Sequence, residues 1–92
     1  MIEISASALK DIEDVFAYGF EAFGLDQAIS YNISLDEMFE RILSQPGIGI
    51  AVAGGSIRSF RHRAHRIYYY SDNGRLTILR VLSPRQPLPG QL

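Results

Sequence analysis

The chain has 92 residues, 47% of them apolar and 21% charged, which suits one small domain with a single core and excludes a collagenous, low-complexity or disordered chain. It holds no cysteine, which excludes disulfides, thiol catalysis and cysteine-ligated zinc and makes a reducing compartment, the cytoplasm, the expected location. The net charge of −1 conceals a division, because residues 1–45 carry nine acids against Lys10 and Arg41 (net −7) and residues 46–92 carry seven arginines against Asp72 (net +6). Such asymmetry points to an acidic partner for the second half or to pairing between the halves. No basic-apolar-small leader opens the sequence and no apolar run approaches about 18 residues, so neither a signal peptide nor a membrane span is expected.

In chain order, the alternation of Met1-Ile2-Glu3-Ile4 predicts a short strand, and Ser5 or Ser7 then offers a helix N-cap. Leu9, Ile12, Val15 or Phe16, Gly19 or Phe20, and Phe23 recur at three-to-four spacing, which predicts a helix over about residues 6–22 with Asp11, Glu13 and Asp14 near its positive end. Gly24 ends it. Asp26 is positioned to cap a second helix whose seam is Ala28, Tyr31, Leu35, Met38 and Ile42, and so short a connection makes the two an antiparallel hairpin. Ile29, Ile33 and Phe39 fall off that seam, either to widen the core stripe or to form an exposed interface.

Ser44-Gln45-Pro46-Gly47 ends the second helix, and the glycines from Gly47 to Gly55 read as a flexible connection. Strands are expected over 57–61, 65–70 and 76–82, the last two joined by a turn at Asn73-Gly74, where both positions accept positive φ. Three prolines mark residues 83–92 as a tail of the single 1–92 domain. The predicted class is α+β: an N-terminal strand, then an antiparallel helix hairpin packed on one face of a small, mostly antiparallel sheet. Leu9, Ile12, Phe16, Leu35, Ile42, Ile67 and Leu79 are expected in its core.

Chemistry-bearing motifs are sparse. The glycine segment lacks the Lys-Ser or Lys-Thr of a phosphate-binding loop, and no Gly-x-Ser-x-Gly elbow is present. His62 and His65, three apart in strand-like sequence, are expected on opposite faces, which disfavours a shared metal. Acid-base candidates reduce to these two and the tyrosines. Tyr68-Tyr69-Tyr70 could stack bases, but alternation puts Tyr69 with Ile67 on one face and Tyr68 with Tyr70 on the other, so at least one tyrosine belongs to the core. Arg80 interrupts the buried-type run Ile78 to Leu82 and must find a carboxylate, carbonyls or solvent at a cleft.

The ordered set Ile4-Ser5-Ala6-Ser7-Ala8-Leu9-Lys10-Asp11-Ile12, Phe23-Gly24 with Gln27-Ala28 and Tyr31, Pro46-Gly47-Ile48-Gly49, Ile57-Arg58, His65-Arg66-Ile67-Tyr68-Tyr69 and Ile78-Leu79-Arg80-Val81-Leu82 resembles ParE toxins of the RelE/ParE superfamily, the plasmid-stabilisation type, over about residues 3–82. The resemblance implies the toxin of a type II toxin-antitoxin system, neutralised by a cognate antitoxin and directed at DNA gyrase by binding, with no catalytic residue and no cofactor. It makes Arg58, Arg61, His65, Tyr69 and Arg80 target-binding candidates by family position. Ile29, Ile33 and Phe39 are the antitoxin-binding candidates. No membrane partner is expected, nor sequence-specific DNA binding by the toxin alone. The RelE branch, which cuts messenger RNA on the ribosome, uses a lysine and arginine cluster with a late tyrosine or histidine. This chain has one lysine, Lys10, and carries Ser83 where ParE toxins commonly have histidine. A ribosome-dependent nuclease and a non-toxic member kept for complex formation are the alternatives.

Overall fold

The computed structural model describes residues 1–89, so residues 90–92 of the expected tail lie outside the described residues. Strand β1 (Ile2–Ile4) leads into α1 (Ala6–Phe23), and α2 (Leu25–Ser44) follows; a 3-10 turn (Pro46–Ile48) then precedes β2 (Ile50–Ala51), β3 (Arg58–His62), β4 (His65–Asp72) and β5 (Arg75–Leu82). The sheet has the order β1-β5-β4-β3-β2, antiparallel except for the β1–β5 edge. Both helices lie against β5 as an antiparallel pair, so the expected class is the observed one.

Local chemistry sets the element ends. Ser5 is the N-cap of α1: its Oγ accepts from the Ala8 N–H at 3.0 Å and donates to the Leu79 carbonyl at 2.9 Å, which ties the helix start to β5. Gly24, at φ 93°, closes α1 through its N–H to the Phe20 carbonyl and also caps α2, so Asp26 lies in the first turn rather than at the cap. Asn73 and Gly74, at φ 49° and 80°, make the predicted tight turn between the paired Asp72 and Arg75. Among the described residues no helix is long and apolar enough to cross a membrane.

The core joins Ala8, Leu35, Phe39, Ile42, Ile67, Tyr69, Leu76, Ile78 and Val81. Leu9 is not in it. It is 50% exposed, because α1 turns the line Ala8, Asp11, Val15 and Gly19 inward, one position round from the apolar stripe expected from the sequence. Phe16 is partly exposed, and so is Leu79, for a separate reason. Tyr68 pairs with Arg80 but Tyr69 pairs with Ile78, so Leu79 is the extra residue of a β-bulge. The bulge lets Ile78 and Val81, three apart, both point into the core, which a regular strand forbids.

The segment read as a flexible connection is partly ordered, since β2 extends the sheet by pairing with β3. Gly49 is indispensable there: a Cβ would lie 2.5 Å from the Tyr69 hydroxyl and 2.7 Å from the Ser59 carbonyl oxygen.

Candidate functional site

Three arginines of the cationic half, Arg61, Arg63 and Arg66, flank the turn between β3 and β4. His62 and His65 are directly paired there, with only Arg63 and Ala64 between them, and Arg63 adopts φ 52° to close the turn. The expectation of opposite faces assumed one continuous strand. Reversal of the chain at Arg63 instead puts both imidazoles on the helix side, against Tyr31 of α2, with ring centroids 5.8 and 5.4 Å from the Tyr31 ring.

Hydrogen bonds link the members of this cluster. Ser34 Oγ donates to the Tyr31 carbonyl at 2.6 Å and so accepts from His62 Nε2 at 2.9 Å. Tyr31 Oη lies 3.3 Å from the His62 carbonyl and 2.6 Å from His65 Nδ1. One hydroxyl proton satisfies both contacts if it goes to the carbonyl while Nδ1–H donates to the oxygen, an arrangement that leaves Nε2 of His65 with its lone pair. Burial holds both histidines below the ordinary value of 6.5, helped by the Arg63 charge at His62 and by His62 at His65. Burial likewise raises the Tyr31 phenol.

Depressed histidines make stability pH-dependent with a definite sign. The unfolded chain takes up protons near pH 6.5 before the folded one does, so the contribution is complete above that pH and is lost as pH falls through the lower folded values. The melting temperature should therefore decline as pH drops from about 7.5 to about 5.5, and a His62→Gln/His65→Gln variant should show a flatter profile over that window. Thermal unfolding followed by circular dichroism at several pH values measures it.

Three other arginines are tied within the molecule. A terminal nitrogen of Arg58 donates to the Gly49 carbonyl at 2.8 Å, and Arg75 meets Glu3 at 3.0 Å. Arg80 grips Asp11 by two bonds, Nε to Oδ2 at 2.7 Å and the terminal nitrogen to Oδ1 at 3.0 Å, and Asp11 Oδ2 also accepts the Val81 N–H at 2.9 Å. That N–H lies on the β5 edge beyond the last residue paired with β1, so the carboxylate stands in for a missing strand. Tyr69 has no exposed surface. Its hydroxyl donates to the Pro46 carbonyl at 2.6 Å and accepts the Gly49 N–H at 2.9 Å, which fastens the 3-10 turn to the sheet.

Around the hairpin end run two joined clefts of about 500 and 430 Å³, sharing Val15, Tyr18, Ala64 and His65. One is bounded by the Ser83–Gln86 turn and the other by Phe23, Gln27 and Tyr31. Among the described residues no three His, Cys, Asp or Glu side chains converge as a metal site would require.

Residues 2–88 match the family model described as "ParE toxin of type II toxin-antitoxin system, parDE". The chain belongs to the ParE toxin family. A solved structure entitled "Chromosomal ParDE TA system from P. aeruginosa" superimposes on this ParE chain with a TM-score of 0.77 and 13% identity, covering 89% of this chain and 92% of that one, a likeness of fold. No curated protein matches the chain.

On this ParE scaffold the five target-binding candidates separate. Arg61 and His65 sit together at the hairpin end, Arg58 points back to Gly49, and Arg80 and Tyr69 are internal ties, so a buried Tyr69 cannot touch a target as expected. The antitoxin candidates separate too. Ile29 and Ile33 are 43% and 53% exposed on α2, whereas Phe39 is only 2% exposed, because it follows Leu35 by four residues and so falls on the inward seam. Arg63 and Arg66 at the hairpin carry no motif of their own and Tyr31 falls on the core seam of α2; the density of arginines between Arg58 and Arg66 is the signal that marks the hairpin.

Proposed function

We propose that this ParE family member is the toxin of a type II toxin-antitoxin pair, acting in the cytoplasm on DNA gyrase by binding rather than by its own catalysis, and held inactive by a cognate antitoxin. One observation carries the reading. Tyr69 is buried and Arg80 is held by Asp11 inside the chain, whereas Arg61 is exposed at the β3–β4 hairpin end beside the half-buried His65. That leaves a surface for recognition, and a toxin that works by complementarity needs nothing else. An antitoxin suits the outer faces of the helices, where Phe23, Leu25, Ile29 and Ile33 are exposed apolar residues on neighbouring turns.

The test is inducible expression of the full chain, scored in parallel for growth, for supercoiling by purified gyrase and for ribosome-dependent messenger cleavage. The expected result is growth arrest with loss of supercoiling and intact messenger, reversed by a small protein from the same operon. A second reading is favoured by one feature, the placement of His65 in a cleft with Arg61 and Arg66, which is where a nuclease would keep a base and its cations. Messenger cleavage on the ribosome that His65→Ala abolishes would establish that reading instead, and absence of any growth effect would make the chain a non-toxic member.

A further inference from the structure

Arg61 of β3 and Arg66 of β4 stand directly opposite one another in the antiparallel register. Side chains so placed share a face with Cβ atoms about 4.5–5.5 Å apart, and like charges there repel. Two other sheet arginines are neutralised by acids: Arg75 takes Glu3 and Arg80 takes Asp11. Among the described residues neither Arg61 nor Arg66 has a carboxylate within ion-pair distance. Arg61 Nε donates to the Arg63 carbonyl at 3.2 Å and a terminal nitrogen of Arg66 donates to Ser59 Oγ at 3.0 Å, so each guanidinium keeps most of its five N–H donors.

The two line a cleft of about 250 Å³ with His65, Tyr68, Ser83 and Gln86, and no acid lines it. Alternation along β4 puts Tyr68 on the same face as Arg66, two residues away, opposite to the helix side that Ile67 and Tyr69 occupy. An opposed, unneutralised pair of guanidiniums beside an aromatic ring is the complement of a phosphate carrying a base: two forks for one anion, and a π-face for its neighbour. An acidic peptide would use the arginines and leave Tyr68 idle.

We infer that Arg61 and Arg66 form a clamp for a phosphodiester, a sequence-independent site for a nucleic-acid strand with an adjacent base laid against Tyr68. The inference rests on the reading that the β3–β4 end faces the target, and adds that the nucleic acid held by that target is contacted directly.

Fluorescence anisotropy of labelled oligothymidylate and oligouridylate with the purified full chain tests it, with an oligoglutamate peptide as the third probe. The wild type should bind the oligonucleotides with an affinity that falls with salt. Arg61→Gln and Arg66→Gln should each weaken binding by about tenfold or more and reduce the salt slope by about one, whereas Tyr68→Leu should weaken it with the slope unchanged. Because Arg61→Gln relieves a repulsion, its unbound melting temperature should stay level or rise by a few degrees. Binding of one oligonucleotide but not the other assigns the strand to DNA or RNA and supports the clamp.

Equal binding by the wild type and the Arg61→Gln/Arg66→Gln variant, binding of oligoglutamate alone, or a fall of several degrees in the melting temperature of Arg61→Gln would overturn the inference. Gyrase inhibition by a wild type that binds no oligonucleotide refutes the clamp and leaves the gyrase reading standing. Oligonucleotide binding with no effect on gyrase does the reverse.

Discussion

Replacing Arg80 by alanine should destabilise the protein by about 2–4 kcal/mol and lower its melting temperature by about 10–25 °C. The Arg80 side chain is 21% exposed and that of Asp11 only 7%, so truncation leaves a nearly buried carboxylate with the Val81 N–H as its remaining partner. Breaking a fully buried pair from one side costs about 3–5 kcal/mol, and the partial exposure of the guanidinium reduces that somewhat. Lysine should recover less than half of the loss, because an ammonium cannot reproduce two parallel bonds to Oδ1 and Oδ2. Asp11→Asn combined with Arg80→Ala should cost less than the sum of the single changes, since the uncompensated charge is gone. Urea and thermal unfolding of the wild type, the three single variants and the double variant decide the matter, and a shift below about 4 °C for Arg80→Ala would contradict a scaffolding role. With the large shift expected, loss of toxicity in that variant reads as loss of fold.

Phe39→Ala should be as damaging, by about 3–5 kcal/mol, because a 2% exposed ring between Leu35 and Ile42 leaves a cavity that the sheet beneath cannot collapse to fill. Ile29→Ala and Ile33→Ala should change the stability of the isolated chain by about 0.5 kcal/mol or less. These two are the substitutions that separate partner binding from folding: each should weaken capture by the antitoxin while leaving the melting temperature in place. Unfolding curves and titration with the purified antitoxin read the two effects independently.

The parts of this structure legible in the sequence are those fixed by local geometry. The extents of the two helices, the break at Gly24 and the Asn73-Gly74 turn depend on neighbours within a few residues, and each appears where the spacing puts it. What was hidden depends on contacts distant in sequence. The bulge at Leu79 inverts the facing of Arg80 and Val81, and nothing in the run Ile78 to Leu82 marks the extra residue. Asp11 occupies an inward helix position because Arg80 and the Val81 N–H wait 69 and 70 residues away, so an apolar stripe drawn without it came out rotated towards Leu9. At the candidate site, two-residue turns without glycine are hard to see, so the reversal at Arg63 that joins His62 to His65 escaped a period-two argument. Family position groups Arg61 with Tyr69, which the structure separates into an exposed and a fully buried side chain, since burial is not written in residue type.

Strand β1 has β5 as its neighbour in the sheet, and the two are joined through Ile2–Leu76, Glu3–Thr77 and Ile4–Ile78, contacts that span nearly the whole described chain. Synthesis runs in the opposite sense to that requirement. The N-terminal strand and both helices leave the ribosome with their apolar faces uncovered, and the surface on which they dock is made last. Loop closure of that length must precede any reward from the contacts it brings, so the native fold forms late and as one event. Until β5 is made, those helices have no sheet to cover them, and any partner present in that interval meets them open.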